Sequence, residues 1–285
     1  MSPNSSESKL VSCEWLADHL EDPNVRVIEV SSSASDEKYR KSHIPGSAWW
    51  NWKEACWHAT DREFATPSEM AGRLGAIGVG PDATVVLIGD PVQYGTYAFW
   101  SMTMAGHRDI RLLDGTRTRW NAEGRPLESE VQTFAPVDYP PPVADQSSRV
   151  GRDDVRAKLG QAGRLLLDTR SPEEYRGDRV SPDFLGAIDH GAERHGRIPG
   201  AVHLFYKDLV NEDDTFLPSE RLREIFAGVG ATGNMSDEIV AYCRLSHRAT
   251  LTWFAMEHIL GMSNVRIYDG SWTEWGSIVG FPIEK

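Results

Sequence analysis

Three cysteines occur in the chain, Cys13, Cys56 and Cys243, and only the last stands in a setting that suits a reactive thiol. It follows the apolar run Ile239-Val240-Ala241-Tyr242 and opens the segment Cys243-Arg244-Leu245-Ser246-His247-Arg248. Residues 249–260 then carry Leu251, Phe254, Ala255, Met256 and Ile259 at the i, i+3, i+4 spacing of a helix with one buried face. A cysteine at the end of a strand, with a six-residue turn leading into a helix, is expected to point its sulfur at converging backbone N–H groups. Arg244 and Arg248 add positive charge, so the thiol is expected to lose its proton well below the free value of about 8.5. Such a group is a nucleophile beside a site for a small anion. Cys13 follows Ser12 at the start of an amphipathic stretch, and Cys56 sits in a Trp-rich loop, both without flanking basic residues. They are read as small buried hydrophobes.

The elements that must hold this turn come in duplicate. His43-Ile44-Pro45-Gly46-Ser47-Ala48 returns as Arg197-Ile198-Pro199-Gly200-Ala201-Val202, and Val85-Val86-Leu87-Ile88 returns as Ile239-Val240-Ala241-Tyr242, each 154 residues later. Gly106, Asp114-Gly115 and Trp120 recur 155 residues on, as Gly261, Asp269-Gly270 and Trp275. A near-constant offset marks a tandem duplication. Between the copies, Pro140-Pro141-Pro142 forbids a helix and predicts an extended linker at 136–148, separating domains at 1–135 and 149–285. Glu29 to Ile44 spans 15 residues and the matching Asp168 to Ile198 spans 30, so the second copy carries an insertion between Gly177 and His195.

Within each copy, short apolar runs alternate with helical patterns. The first copy reads as helix at 14–20, strand at 25–30, helix at 69–74, strand at 85–88, helix at 97–105 and strand at 110–113. The second repeats this with strands at 165–167, 239–242 and 265–268 and helices at 221–226 and 251–260. Alternation of this kind predicts an α/β fold in each domain, a mainly parallel sheet flanked by helices. The ten tryptophans are expected to fill the cores and the packing between domains.

Bulk composition narrows the function classes. With 285 residues, 40% of them hydrophobic and 25% charged, the chain suits two folded domains and not a disordered segment. No apolar run approaches the ~18 residues a membrane-spanning helix needs, and the N-terminus lacks a secretory pattern. The net charge of −12 makes nucleic acid a poor partner, while clustered arginines can still hold a small anion locally. Three cysteines without a CxxC pair fit neither a disulfide framework nor a zinc site, so no structural metal is expected and the cytoplasm is the expected compartment.

Cys243-Arg244-Leu245-Ser246-His247-Arg248 is similar to the C-R-x-G-x-R loop of rhodanese-type sulfurtransferases. The resemblance runs along nearly the whole chain. Leu167-Asp168-Thr169-Arg170-Ser171-Pro172-Glu173-Glu174-Tyr175 resembles the opening strand and turn of rhodanese domains, and Arg197-Ile198-Pro199-Gly200-Ala201-Val202 their G-H-I-P-G-A segment. Asp269-Gly270-Ser271-Trp272-Thr273-Glu274-Trp275 resembles the C-terminal signature of two-domain thiosulfate and 3-mercaptopyruvate sulfurtransferases. The resemblance implies tandem rhodanese-like domains, the second catalytic and the first without its cysteine; the position 154 residues before Cys243 is Gly89. Ser246 stands where the family has glycine, which takes positive φ without cost, and Ala249 where a Ser or Thr is common. His247 fills a variable position as a candidate acid–base group or anion donor.

The resemblance also implies the reaction. Cys243 takes a sulfane sulfur from a small anionic donor such as thiosulfate, becomes a persulfide, and passes the sulfur to a thiophilic acceptor: cyanide, a thiol or an acceptor protein. Arg244, Leu245, Ser246, His247 and Arg248 form the expected substrate cradle, with Arg248 stabilising the transferring sulfur. Arg176 and Arg179 match the stretch in which a family arginine helps hold the donor, and the insertion that also brings Arg194, Arg197, His190 and His195 is expected to border the site. Arg244 directly after the cysteine favours thiosulfate over 3-mercaptopyruvate. A cysteine phosphatase of the same fold would space its loop Cys-x5-Arg, whereas four residues separate Cys243 from Arg248 here. A sulfur-relay binding module without activity would be expected to lack the cysteine.

Overall fold

A computed structural model describes residues 8–182, 191–232 and 238–285. The chain divides into two compact units, one of Met1–Gln146 with Glu212–Thr215, the other of Ser147–Asn211 with Phe216–Lys285. The first unit contains strands β1 (Leu10–Val11), β2 (Val25–Ser31), β3 (Ala48–Asn51), β4 (Thr84–Asp90) and β5 (Ile110–Leu113). They form one parallel sheet in the order β1-β5-β4-β2-β3. Helices α1 (Cys13–Asp18), α2 (Glu37–Lys41), α3 (Trp52–Cys56), α4 (Pro67–Ala76), α5 (Val92–Ala105) and α6 (Arg117–Ala122) connect them. Val85, Val86, Leu87 and Ile88 of β4 are all buried, as a central parallel strand covered on both faces requires.

The second unit repeats the plan. Strands β6 (Arg149–Val150), β7 (Arg164–Asp168), β8 (Val202–His203), β9 (Glu238–Tyr242) and β10 (Val265–Tyr268) are parallel in the order β6-β10-β9-β7-β8. Around them lie α7 (Arg152–Ala157), α8 (Pro172–Arg176), α9 (Ser219–Gly228), α10 (His247–Phe254) and α11 (Ser271–Trp275). Leu166, Val240, Tyr242, Trp272 and Trp275 build the core on one face of this sheet. Trp100 and Trp120 are fully enclosed in the first unit, and Trp253, Trp272 and Trp275 in the second. No described helix is long and apolar enough to cross a membrane.

Strand register places the repeat more finely than the sequence offsets do. Glu29 pairs with Ile88 across β2 and β4, and Asp168 pairs with Tyr242 across β7 and β9, so Glu29 and Asp168 occupy one position of the common fold. The Glu29 carboxylate accepts directly from the N–H of Ile44 at 2.7 Å. Asp168 is one methylene shorter, and the Tyr242 hydroxyl bridges the gap: it donates to Asp168 at 2.7 Å and accepts from the N–H of Ile198 at 3.2 Å.

The proline-rich stretch forms neither helix nor strand and is tied to the first unit by hydrogen bonds. Val137 N–H donates to Gly75 O, Asp145 N–H donates to Met104 O, and the Tyr139 hydroxyl meets His107 Nδ1 at 2.7 Å. An extended backbone without internal hydrogen bonds leaves donors that these carbonyls satisfy. The helix after Cys243 begins at His247, two residues earlier than the apolar spacing predicts, and gives way after Phe254 to a π-helical turn at Ala255–Ile259.

Candidate active site

Cys243 is the first residue after β9, the central strand of the second sheet, and is fully buried. The chain leaves β9 toward β10 on one side and leaves neighbouring β7 toward β8 on the other, so Cys243 lies at the carboxyl edge beside the switch in strand order, where open parallel sheets bind ligands. A polar network fixes the two strand ends beside it. Arg170, with no exposed surface, chelates Asp168 through Nε and Nη2 at 2.9 and 2.6 Å and also donates to Gly196 O. Burial opposes the Arg170 charge, and Asp168 more than offsets it. Burial and the Asp168 charge together push the Tyr242 hydroxyl well above its ordinary range, so it stays a donor to that carboxylate.

The turn itself is short. Residues 243–246 separate β9 from α10, and Ser246 takes a left-handed conformation with φ of 70°. Its hydroxyl donates to Asp269 O at 2.6 Å and lies 2.9 Å from Asp269 Oδ1, so it does not cap the first turn of α10. The opening N–H groups of a helix have no intrahelical partner. The N-terminal end of α11 secures the other side. Cys243 N–H donates to Ser271 Oγ at 3.2 Å, while the N–H groups of Trp272 and Thr273 donate to the carbonyls of Cys243 and Arg244. Every residue of α10 is buried, including Thr250 and Thr252, whose hydroxyls donate back to His247 O and Arg248 O.

The expected cradle residues fall into different roles. Arg248 is buried in a two-point pair with Glu174, at 2.6 and 2.9 Å. Burial opposes its charge, and the Glu174 carboxylate, with a smaller contribution from Cys243, holds its pKa above the ordinary value. Its charge is thus matched by Glu174, and the pair ties α8 to α10 while Arg248 stays within electrostatic reach of Cys243. Ser246 likewise directs its hydroxyl to Asp269 and not toward a ligand. His247 is buried as the first residue of α10. Arg244 and Leu245 are half-buried.

The insertion reaches the loop through a glycine. A Cβ built on Gly191, which has φ of +117°, would lie 2.5 Å from Arg244 Nε, so the Arg244 side chain packs on bare backbone there. The basic residues of the insertion are otherwise engaged. Arg194 donates to the carbonyls of Trp275, Gly276, Ile278 and Phe281, Arg197 pairs with Glu284, and His195 Nδ1 meets Gly177 O. Exposed Arg176 pairs with Glu173 and Asp178, and Arg179 Nε donates to Ser181 O. No described contact joins Arg176 to the Cys243 turn, and His190 lies outside the described residues. Glu174, Asp269 and Ser271 were missed as site residues. Glu174 was visible as the glutamate three residues after Ser171, the closing residue of a capping box.

The other two cysteines are buried thiols in the first unit. Burial pushes Cys56 up to about 12, and burial with the charge of Glu123 pushes Cys13 up to about 11 despite Arg125 and Arg119. Both remain protonated at neutral pH. At Gly89, which matches Cys243, a Cβ would lie 2.5 Å from Gly95 N and 2.7 Å from Val92 O. Among the described residues, no three His, Cys, Asp or Glu side chains group to hold a metal.

Comparisons with known proteins agree with this architecture. The rhodanese-like domain family matches residues 12–123 and again 152–278. The chain is 42% identical to the sulfur carrier protein TtuD of Thermus thermophilus, over 97% of this chain and 96% of that one. It is 38% identical to a Haloferax volcanii protein named "Putative thiosulfate sulfurtransferase", over 99% of each. Among solved structures, the anaerobic ergothioneine biosynthesis enzyme of Chlorobium limicola shares the fold with a TM-score of 0.81 at 23% identity, covering 97% of this chain and 70% of that one. With the family domain present twice and relatives of this similarity along its whole length, the chain belongs to the rhodanese sulfurtransferase family.

Proposed function

We propose that the protein is a thiosulfate sulfurtransferase that carries sulfur on Cys243. The observation behind this reading is the turn after β9, where a buried cysteine at the end of the central strand leads through Arg244 into the N-terminus of α10. The Cys243 thiolate attacks the outer sulfur of thiosulfate, the sulfur–sulfur bond of the donor breaks, and sulfite leaves with the electron pair. The outer sulfur of the resulting persulfide is then attacked by cyanide, a thiol or an acceptor protein, and the Cys243 thiolate is released. Two half-reactions through a covalent intermediate give ping-pong kinetics. Helix N–H groups hold the negative charge in both, a preorganised electrostatic role. The reaction as written needs neither metal nor organic cofactor. Three free thiols suit the cytoplasm as the compartment.

The first unit is proposed to be non-catalytic, because Gly89 stands at the position of Cys243 and a Cβ there would press within 2.5 Å of the Gly95 backbone. Arg176 and Arg179 are proposed to draw the anionic donor toward the turn, on the support that their insertion packs on Arg244 through Gly191; replacing both by Ala is expected to raise the donor KM about tenfold. Thiosulfate is favoured over 3-mercaptopyruvate because Arg244 follows the cysteine directly, while Ser246, a polar group that could serve the latter, is turned to Asp269. The deciding experiment is mass spectrometry after thiosulfate treatment: one added sulfur atom on the Cys243 peptide is expected, and an unmodified peptide overturns the reading. Comparing kcat/KM for both donors, in wild type and Arg244→Gly, tests the donor. A wild-type ratio favouring 3-mercaptopyruvate refutes the preference.

A further inference from the structure

Among the described residues, Asp214, Ser246 and Ser271 are the non-glycine residues with positive φ, and Ser246 is the one inside the Cys243 turn. A side chain in this conformation sets Cβ against the neighbouring carbonyl, which is why glycine serves here at lowest cost. Ser246 is fully buried, so water does not compete for its hydroxyl. That single proton is shared between Asp269 O and Asp269 Oδ1. The second oxygen of Asp269 accepts from Arg149 Nη2 at 3.1 Å. Arg149 belongs to β6 and Asp269 directly follows β10, and these strands pair through Tyr268 and Val150. The left-handed turn is therefore tied to the sheet by a serine hydroxyl, an aspartate and an arginine. The Ser246 carbonyl meanwhile accepts from Thr250 N–H at 2.8 Å, closing the first turn of α10.

We infer that Ser246 and Asp269 are positioning residues for sulfur transfer: their hydrogen bond holds the turn in the conformation that directs the first-turn N–H groups of α10 at the sulfur bound to Cys243. The inference rests on the reading of Cys243 as the sulfur carrier. It assigns Ser246 a task opposite to that of a substrate ligand, because its hydroxyl faces the sheet edge and it acts only through the backbone. It also accounts for a serine at this position: a hydroxyl anchored by Asp269 supplies by bonding what glycine supplies by conformational freedom.

The two roles give opposite orders of substitution. A ligand or space-filling serine is hurt more by Gly than by Ala, since Gly removes more atoms. A conformational clamp is hurt more by Ala, which keeps the steric conflict and loses the bond. The rate of persulfide formation is therefore expected to be about tenfold lower in Ser246→Ala than in Ser246→Gly, with the loss in kcat and not in donor KM. Asp269→Ala is expected to slow the step about fivefold in the Ser246 background and about twofold or less when combined with Ser246→Gly, because coupled residues are not additive. Hydrogen exchange of the peptide spanning 243–250 gives a readout independent of turnover, and Asp269→Ala should speed it more with Ser246 present than in Ser246→Gly. An Ala variant as fast as the Gly variant, or an Asp269 effect of equal size in both backgrounds, overturns the inference. If thiosulfate leaves Cys243 unmodified in wild type, the proposed function fails while hydrogen exchange still decides the clamp. Should Ser246→Ala not fold, the Asp269→Ala pair of exchange measurements decides alone.

Discussion

The turn after β4 and the turn after β9 occupy the same place in two copies of one fold, and they differ in every side chain that bears on chemistry. Gly89-Asp90-Pro91-Val92-Gln93-Tyr94 stands where the second unit has Cys243-Arg244-Leu245-Ser246-His247-Arg248. In the first unit the strand runs on through Asp90, and the following turn closes until the backbone of Val92 and Gly95 touches Gly89. In the second unit the strand stops at Tyr242, and Ser246 turns the chain into α10 with its own hydroxyl held by Asp269 and not by the helix. The scaffold around both is shared, down to the register that equates Glu29 with Asp168. One place in the fold thus carries a turn closed on Gly89 in the first unit and, in the proposed reading, an anion-binding turn in the second.

The largest expected effect tests the open turn. Cys243→Ser should abolish sulfur transfer, while Cys13→Ser with Cys56→Ser should leave most of it, since both of those thiols are buried and protonated in the first unit. Turnover surviving in the first variant would erase the functional contrast between the units. The pair that ties α8 to α10 comes next. Glu174→Gln strands the buried Arg248 guanidinium, and removing one partner of a buried pair costs about 3–5 kcal/mol. Denaturant unfolding should show this loss, with a slower persulfide step in whatever remains folded. A variant as stable as wild type would mean that Arg248 has another partner.

A smaller effect is expected at the filled turn. Gly89→Cys places a Cβ within 2.5 Å of Gly95 N, and overpacking of a close backbone contact costs about 1–3 kcal/mol. The variant should be less stable and should gain no persulfide at residue 89. A second sulfur adduct there would show that the cysteine alone, and not the turn, separates the two units.

Much of this was legible in the sequence. The strands at 110–113 and 265–268 have the bounds that their sequence predicts: each places one arginine, Arg111 or Arg266, on its more accessible side and buries its three apolar residues. The fixed offset located the duplication, and the cation-flanked cysteine located the turn. The misreadings share one cause: side-chain partners distant in sequence do not show in local spacing. Nothing in the spacing around Arg248 shows that Glu174, 74 residues away, pairs with it. Arg194 looked like part of the site and instead binds carbonyls more than 80 residues downstream. Ser246 looked like a defect in a glycine position, and only the fold brings Asp269 to its hydroxyl. The start of α10 was missed because His247 and Arg248 are polar, and apolar periodicity cannot see a helix buried on every side.

The smallest expected effect uses two glutamates that the units handle in opposite ways. In the first unit, Glu29 is buried beneath the sheet edge, and burial raises its pKa despite the Ile44 N–H bond and the nearby Arg117 charge. In the second, Glu284 accepts from Gly200 N–H at 2.9 Å and pairs with Arg197, and these bonds lower its pKa. The signs follow from proton binding: stability rises with pH wherever the unfolded state holds more protons. For Glu29 the folded state holds the proton longer. The stability of wild type relative to Glu29→Gln is therefore highest below the unfolded carboxyl value and falls as pH rises through the folded one. For Glu284 the folded state gives the proton up sooner. Its contribution relative to Glu284→Gln is complete above the unfolded value and is lost as pH falls through the folded one. The exposed Arg197 pair should make the second effect the weaker, since solvent screens it. Hydrogen exchange of the peptides carrying each residue, compared between wild type and variant at each pH from acid to neutral, reads the two units separately. Difference curves of opposite slope are expected, and two curves of the same sign would mean that Glu29 is held as a paired carboxylate like Glu284, removing this contrast between the copies.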